Sequence, residues 1–283
     1  GQAYQLVDLY GEGLPGVLYR IDQAWYYREP QRGPDGGDQV RYDEWKLLPH
    51  LPAADSSKAV RQSLSDMTGD GKLDWVVAMP GMSGFFTLNP DRTWSQFVPF
   101  NAFPTEFFHP QAQLADLVGD GLTDLTLIGS RSVRLYASRR EDGFARGVDV
   151  PRRDDDDALP LLSPSPTELV AFSDVLGSGQ QHLVRIRHNE VKCWPNLGHG
   201  RFGKGFVLST LPFAYEEFEA AQVRLADLDG SGAADLIYLK SDGFEVFMNH
   251  AGNGYPDTPQ TQPWPEGVRY DRLCEVSFAD LQG

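Results

Sequence analysis

Along the chain, short runs of alternating apolar and polar residues are separated by clusters rich in Gly, Asp, Asn, Ser and Pro, the pattern of half-buried strands joined by turns. Five runs, at 4–8, 60–66, 112–116, 169–174 and 223–227, each end in an aspartate, and a sixth lies at 276–280. After each of the five comes a short apolar stretch, such as DWVVAM, DLTLIG, HLVRIR or DLIYLK, that predicts a second strand. Third strands are predicted at 24–27, 84–88, 133–137, 190–194 and 245–249. The fourth are weaker: 42–48, 93–100, 144–150, 202–208 and the Pro-rich stretch 255–265, where a missing donor suits an outer edge.

The turn between first and second strand is itself repeated. DLYGEGLPG starts at Asp8, DMTGDGKLD at Asp66, DLVGDGLTD at Asp116, DVLGSGQQH at Asp174 and DLDGSGAAD at Asp227, with DLQG opening another at Asp280. Successive separations of 58, 50, 58, 53 and 53 residues match one four-stranded propeller blade with its loops. The expectation is an all-β propeller of four-stranded blades occupying residues 1–283 as a single domain of a larger protein. It has five complete repeats and the start of another, so a ring of six or seven blades is expected, six preferred, with a five-bladed ring as the alternative.

Composition sharpens this picture only a little. The 29 Gly and 20 Pro would interrupt any long helix. Net charge is −15, from 25 basic against 40 acidic side chains, which repels nucleic acid and anionic membrane. No run approaches the ~20 apolar residues of a membrane span, so direct membrane insertion is not expected, and residues 1–8 are not a signal peptide. Cys193 and Cys274 fall in different repeats and predict no disulfide framework. The run Asp154 to Asp157, in a Pro-rich insertion, reads as a solvated loop, with binding to a basic partner as the alternative.

The acidic turns carry the candidate chemistry. Oxygens at the first, third, fifth and ninth positions of a DxDxDGxxD loop can converge on calcium at ~2.3 to 2.6 Å. Asp66, Thr68, Asp70 and Asp74 make the fullest set, and Asp227, Asp229, Ser231 and Asp235 the second. Asp116, Asp120 and Asp124 have Val118 where a third oxygen is needed, and the turns at Asp8 and Asp174 are further decayed. The competing reading is structural: Asp caps the turn by accepting backbone donors and the glycines take positive φ. That reading is preferred, and no cofactor, calcium included, is expected to be required. Aromatics cluster in two connections, with Phe100, Phe103, Phe107 and Phe108 in one and Phe213, Tyr215 and Phe218 in the other. They are candidate anchors for a protein partner or covers for the sheet ends. The six histidines follow no HExxH or other metal spacing, and there is neither a GxSxG elbow nor a phosphate loop, so an enzyme is not expected.

The repeat resembles the FG-GAP or VCBS blades of integrin-like propellers. More specifically, LVDLYGEGLPGVLYR, AWYYREPQRGP, WPNLGHGRFG, VRLADLDGSGAADLIYL and FMNHAGNGY resemble the B component of bacterial insecticidal toxin complexes, the Tc toxins, and the related SpvB-like proteins. The resemblance implies a secreted virulence protein. In it the propeller docks on the pentameric A-component channel and gates passage of a C-component effector held by the rest of the B and C components. The alternative is a calcium-dependent adhesive FG-GAP propeller that binds a host protein or glycan. A third reading, a propeller glycosidase or lyase, would need acids clustered around a central channel.

Overall fold

The computed structural model describes residues 4–7, 9–10, 16–21, 24–32, 40–48, 61–70, 72–79, 82–264 and positions 266, 270 and 276. Among these residues the regular structure is strand throughout, apart from four short 3-10 turns. The strands form five four-stranded antiparallel sheets, each running in chain order from first to fourth strand. Blade 1 comprises Tyr4–Val7, Gly16–Ile21, Ala24–Arg28 and Lys46–Leu47, with a two-stranded hairpin, Pro30–Arg32 with Val40–Tyr42, inserted before the last. Blade 2 is Arg61–Ser65, Asp74–Met79, Met82–Phe86 and Val98–Pro99. Blade 3 is Gln113–Ala115, Asp124–Ile128, Ser132–Tyr136 and Val148–Pro151. Blade 4 is Glu168–Ser173, His182–Arg187, Glu190–Trp194 and Phe206–Thr210, with the hairpin Asn196–Gly198 and Arg201–Phe202 inserted. Blade 5 is Val223–Ala226, Asp235–Leu239, Gly243–Phe247 and Gln260–Pro263.

The expected count of six blades is therefore corrected to five. The error came from counting recurring turns as blades. The turn at Asp280 lies outside the described residues, as does the turn at Asp8 apart from Leu9 and Tyr10, and Val276 belongs to no strand. Blade 1 already has four strands of its own.

Burial explains the strand chemistry. A second strand has a hydrogen-bonded neighbour on each edge and packing on both faces, so Leu236, Ile237, Tyr238 and Leu239 are all buried and strict alternation is lost. Fourth strands are outer edges: Gln260–Pro263 is exposed at every position. Pro99, Pro151 and Pro263 all sit on these edges, where an absent N–H leaves no ladder bond unmade.

The chain divides into two compact units, one holding blades 1 and 2 with Ser138–Ala145, the other blades 3, 4 and 5. In the first, Trp75 is buried edge-on against Trp25 and Trp94, with ring centroids 4.9 and 5.9 Å apart. In the second, Leu183, Trp194 and Phe202 pack with Leu117, Ile128 and Val133 of blade 3. Val184, Ile186 and Cys193 pack with Leu236 and Phe247 of blade 5. Burying one such side chain is worth about 1.5–3 kcal/mol, so each seam contributes several kcal/mol to holding neighbouring blades together.

Candidate functional site

In the described acidic turns, the repeated aspartates are engaged with their own backbone. Asp66 Oδ1 accepts the N–H groups of Gly69 (2.7 Å) and Asp70 (3.2 Å), and Asp74 Oδ2 those of Met67 (2.8 Å) and Thr68 (3.0 Å). Blade 3 repeats the arrangement, with Asp124 Oδ2 accepting from Leu117 and Val118 and Asp116 from Gly119, Asp120 and Gly121. In blade 5, Asp227 accepts from Ser231 and Gly232, and Asp235 Oδ2 from Leu228. Gly119 and Gly121 take φ of 92° and 81°, left-handed values that a side chain would disfavour.

These turns also show what each candidate calcium set can offer. Asp227, Asp229 and Asp235 bring one oxygen each within 4.8 Å of one another, the one such acidic group among the described residues. Ser231 Oγ accepts the Ala233 N–H at 3.4 Å. In blade 2, Asp70 Oδ1 accepts the N–H of Lys72, while Thr68 Oγ1 is buried with no hydrogen-bond partner. Burial pushes the Asp74 carboxyl up to about 6, against the lowering effect of its two backbone donors, with Asp70 and Asp66 adding repulsion. Asp235 is raised for the same first reason, burial.

Blade 4 replaces the last aspartate by a base. His182 Nδ1 accepts the Asn196 N–H at 2.9 Å, and Nε2 lies 2.7 Å from Ser178 Oγ. Burial lowers its pKa, with the Asp174 carboxylate opposing. Because Nδ1 receives a backbone N–H, the ring is held as the neutral Nε2–H tautomer.

Sequence reasoning missed two asparagines that join neighbouring blades. Asn249 Nδ2 donates to Ala234 O (3.0 Å) and to Val175 O of blade 4 (2.9 Å), and its Oδ1 accepts the Gly252 N–H (2.8 Å). Asn196 does the same one blade earlier, donating to Gln181 O (3.1 Å) and Asp116 O (3.4 Å) and accepting from Gly198 (2.8 Å). The signal was an Asn followed by a glycine pair after the third strand, NLGHG at Asn196 and NHAGNG at Asn249. At Gly252 a Cβ would stand 2.1 Å from Leu176 O, so the second hairpin meets its neighbour backbone to backbone.

The aromatics divide by exposure. Phe100 and Phe103 stack at 5.3 Å, and Phe103 packs on Phe107, Phe108 and Phe144, with Phe107 buried. Phe213 and Phe218 lie against Tyr238 at 4.5 and 5.9 Å. Tyr215 is 60% exposed and touches the His188 ring edge-on. In the acidic run, Asp154 and Asp155 are exposed, whereas Asp157 anchors the insertion to blade 4. It receives hydrogen bonds from Trp194 Nε1 (3.1 Å) and the Gly205 N–H (3.2 Å) and pairs with Lys192 at 2.9 Å. Burial would raise its pKa, but the Lys192 hydrogen bond and charge, with the Gly205 and Trp194 donors, hold it below the ordinary value.

Meander blades opened by self-capped acidic turns and stapled through asparagine define a repeat protein of the β-propeller class. No family model and no curated protein matches the sequence. Among solved structures, the chain is 50% identical over its whole length to 13% of a chain in a mutated Tc holotoxin pore of Photorhabdus luminescens, with a TM-score of 0.89. It is 51% and 46% identical to TcdB2-TccC3-Cdc42 and TcdB2-TccC3, covering 99% of this chain and 13% of theirs, with TM-scores of 0.62 and 0.59. The chain belongs to the Tc toxin B-component family, as a segment of propeller blades. It spans about an eighth of the length of the chains it matches. Membership implies an extracellular toxin complex. An Agrocybe aegerita lectin that recognises non-reducing terminal N-acetylglucosamine shares the fold alone, at 16% identity and a TM-score of 0.60 over 92% of this chain and 65% of that one.

Proposed function

We propose that this chain is the propeller module of a secreted Tc toxin B component. It docks on the A-component channel, joins the remainder of the B component and the C component, and gates passage of the effector. The observation that carries this is a contrast among relatives. At 50% identity the chain superposes on the holotoxin-pore chain with a TM-score of 0.89, yet at 46–51% identity it reaches only 0.59 to 0.63 on the TcdB2-TccC3 structures. Similar identity with so different a superposition is what two arrangements of the corresponding region would give, and a gate needs two arrangements.

The module binds rather than catalyses, since its repeated acids are occupied as turn caps, and it docks without calcium for the same reason. Tyr215 is the aromatic among the seven candidates most open to a partner. Interferometry against the A-component pentamer, in calcium and in chelator, tests the reading. Binding indifferent to chelator supports it. Absence of binding, or binding to host glycans only with calcium, would replace it with the adhesin.

A further inference from the structure

In a protein with a net charge of −15, a cleft among the described residues has four cations and a single acid in its lining. It lies in the second unit, where the outer strand of blade 3 faces the inserted hairpin of blade 4, and encloses about 550 Å³. Arg152, Arg153, Arg201 and Lys204 line it, and Asp156 is the single acid among the lining residues. Arg153, Arg201 and Lys204 are exposed and make no side-chain ion pair or hydrogen bond with a described residue. The apolar part of the wall includes Val150, Phe202 and Leu197, the last of these 64% exposed.

The walls are built before any ligand arrives. The Arg152 side chain, 4% exposed, donates to Asp157 O (2.8 Å), Phe202 O (2.9 Å) and Gly203 O (3.3 Å), tying the insertion to the hairpin. Arg131 holds the same insertion through Asp156 O and Arg153 O. The hairpin is fixed by the Asn196 bonds and by Gly203 N–H to Pro195 O at 2.8 Å. Three unpaired cations are thus presented around a fixed apolar wall.

The geometry points to a binding site for an acidic peptide segment of a protein partner, with carboxylates answering Arg153, Arg201 and Lys204 and an apolar side chain covering Leu197. A small inorganic anion would leave Leu197 in water. A nucleic acid carries a charge at every nucleotide, more than three cations answer, and would extend past the cleft into the negative field of the rest of the chain, whereas a short peptide can confine its carboxylates to the cleft. The site stands whether or not the propeller docks on a channel.

Fluorescence anisotropy of the 283-residue chain tests it, with a labelled, end-capped peptide carrying glutamates and leucines, the same peptide with glutamines for glutamates, and a single-stranded oligonucleotide as probes. Exposed ion pairs are individually weak, so three together predict about 10- to 100-fold tighter binding of the glutamate peptide, falling as salt rises. The triple variant R153E/R201E/K204E should abolish that preference and L197S should weaken both peptides several-fold, with circular dichroism unchanged because all four side chains are exposed. Equal binding of the two peptides, no binding of either, preference for the oligonucleotide, competition by millimolar phosphate as effective as by unlabelled peptide, or retention of the preference in the triple variant would each overturn the proposal.

Discussion

In blade 2 the second strand begins with Asp74 and in blade 4 with His182, and both side chains are buried where they accept a backbone N–H, Asp74 from the turn before it and His182 from the hairpin after it. Asp74 accepts from Met67 and Thr68 within its own turn. His182 instead accepts from Asn196, as Asp235 Oδ1 accepts from Asn249 at 2.7 Å. One position can therefore be filled by an acid or a base, provided it presents a lone pair and stays neutral or tolerates burial. The two solutions differ in how they respond to protons. The Asp74 carboxyl is raised from 3.8 to about 6, so the folded chain binds more protons than the unfolded one across that interval. Its contribution is fully present below the unfolded value and is lost as pH rises through about 6, a cost of about 3 kcal/mol. His182 is lowered from 6.5, so its contribution is present above that value and is lost as pH falls through the folded one.

The largest expected effect falls on the part that sets blades 4 and 5 apart from blade 2, the asparagine staple. Asn249→Ala removes three hydrogen bonds at a buried site and strands the Val175 carbonyl, while Ala234 O keeps its bond from the Tyr255 hydroxyl, for an expected loss of about 3 kcal/mol in urea denaturation. Asn196→Ala should cost less, about 2 kcal/mol, because its inter-blade bond is 3.4 Å long. Equal costs would mean that the staple between blades contributes nothing beyond the local turn.

Next in size is Asp74→Asn. The amide can still accept from Met67 and Thr68 without a buried charge, so the variant should gain about 1–2 kcal/mol near pH 7 and lose the wild-type decline between about pH 4 and 6. His182→Asp should reverse the response of the blade 4 turn. Hydrogen exchange, corrected for intrinsic rates, is expected to show protection of the turn after Asp174 rising toward neutral pH in the wild type and falling in the variant. The smallest change in stability is expected for Tyr215→Ala, within about 0.5 kcal/mol, while docking to the A-component pentamer weakens several-fold.

What the sequence made legible follows from local chemistry. A DxxGxG turn needs an acceptor at its first position and left-handed backbone at its glycines, and those demands are satisfied by neighbours a few residues away. The strands around it were legible for the same reason: the third strand of blade 4 was expected at 190–194 and is Glu190–Trp194. The blade count was not, because a turn motif marks the end of a strand and not the closing of a sheet. Nor were the staples, whose partners lie 80 and 74 residues upstream. The run Asp154 to Asp157 looked uniform, yet only its last member meets Lys192 and Trp194, a distinction created by tertiary packing.

Those staples always point backwards along the chain. Asn196 needs the carbonyl of Asp116 and Asn249 that of Val175, so each hairpin finishes on a surface made by residues already synthesised. A polypeptide emerging from the ribosome, N-terminus first, would lay down these blades like courses of brick, each new one bonding to the one below. Nothing in this pair of contacts requires a blade to wait for sequence still to come.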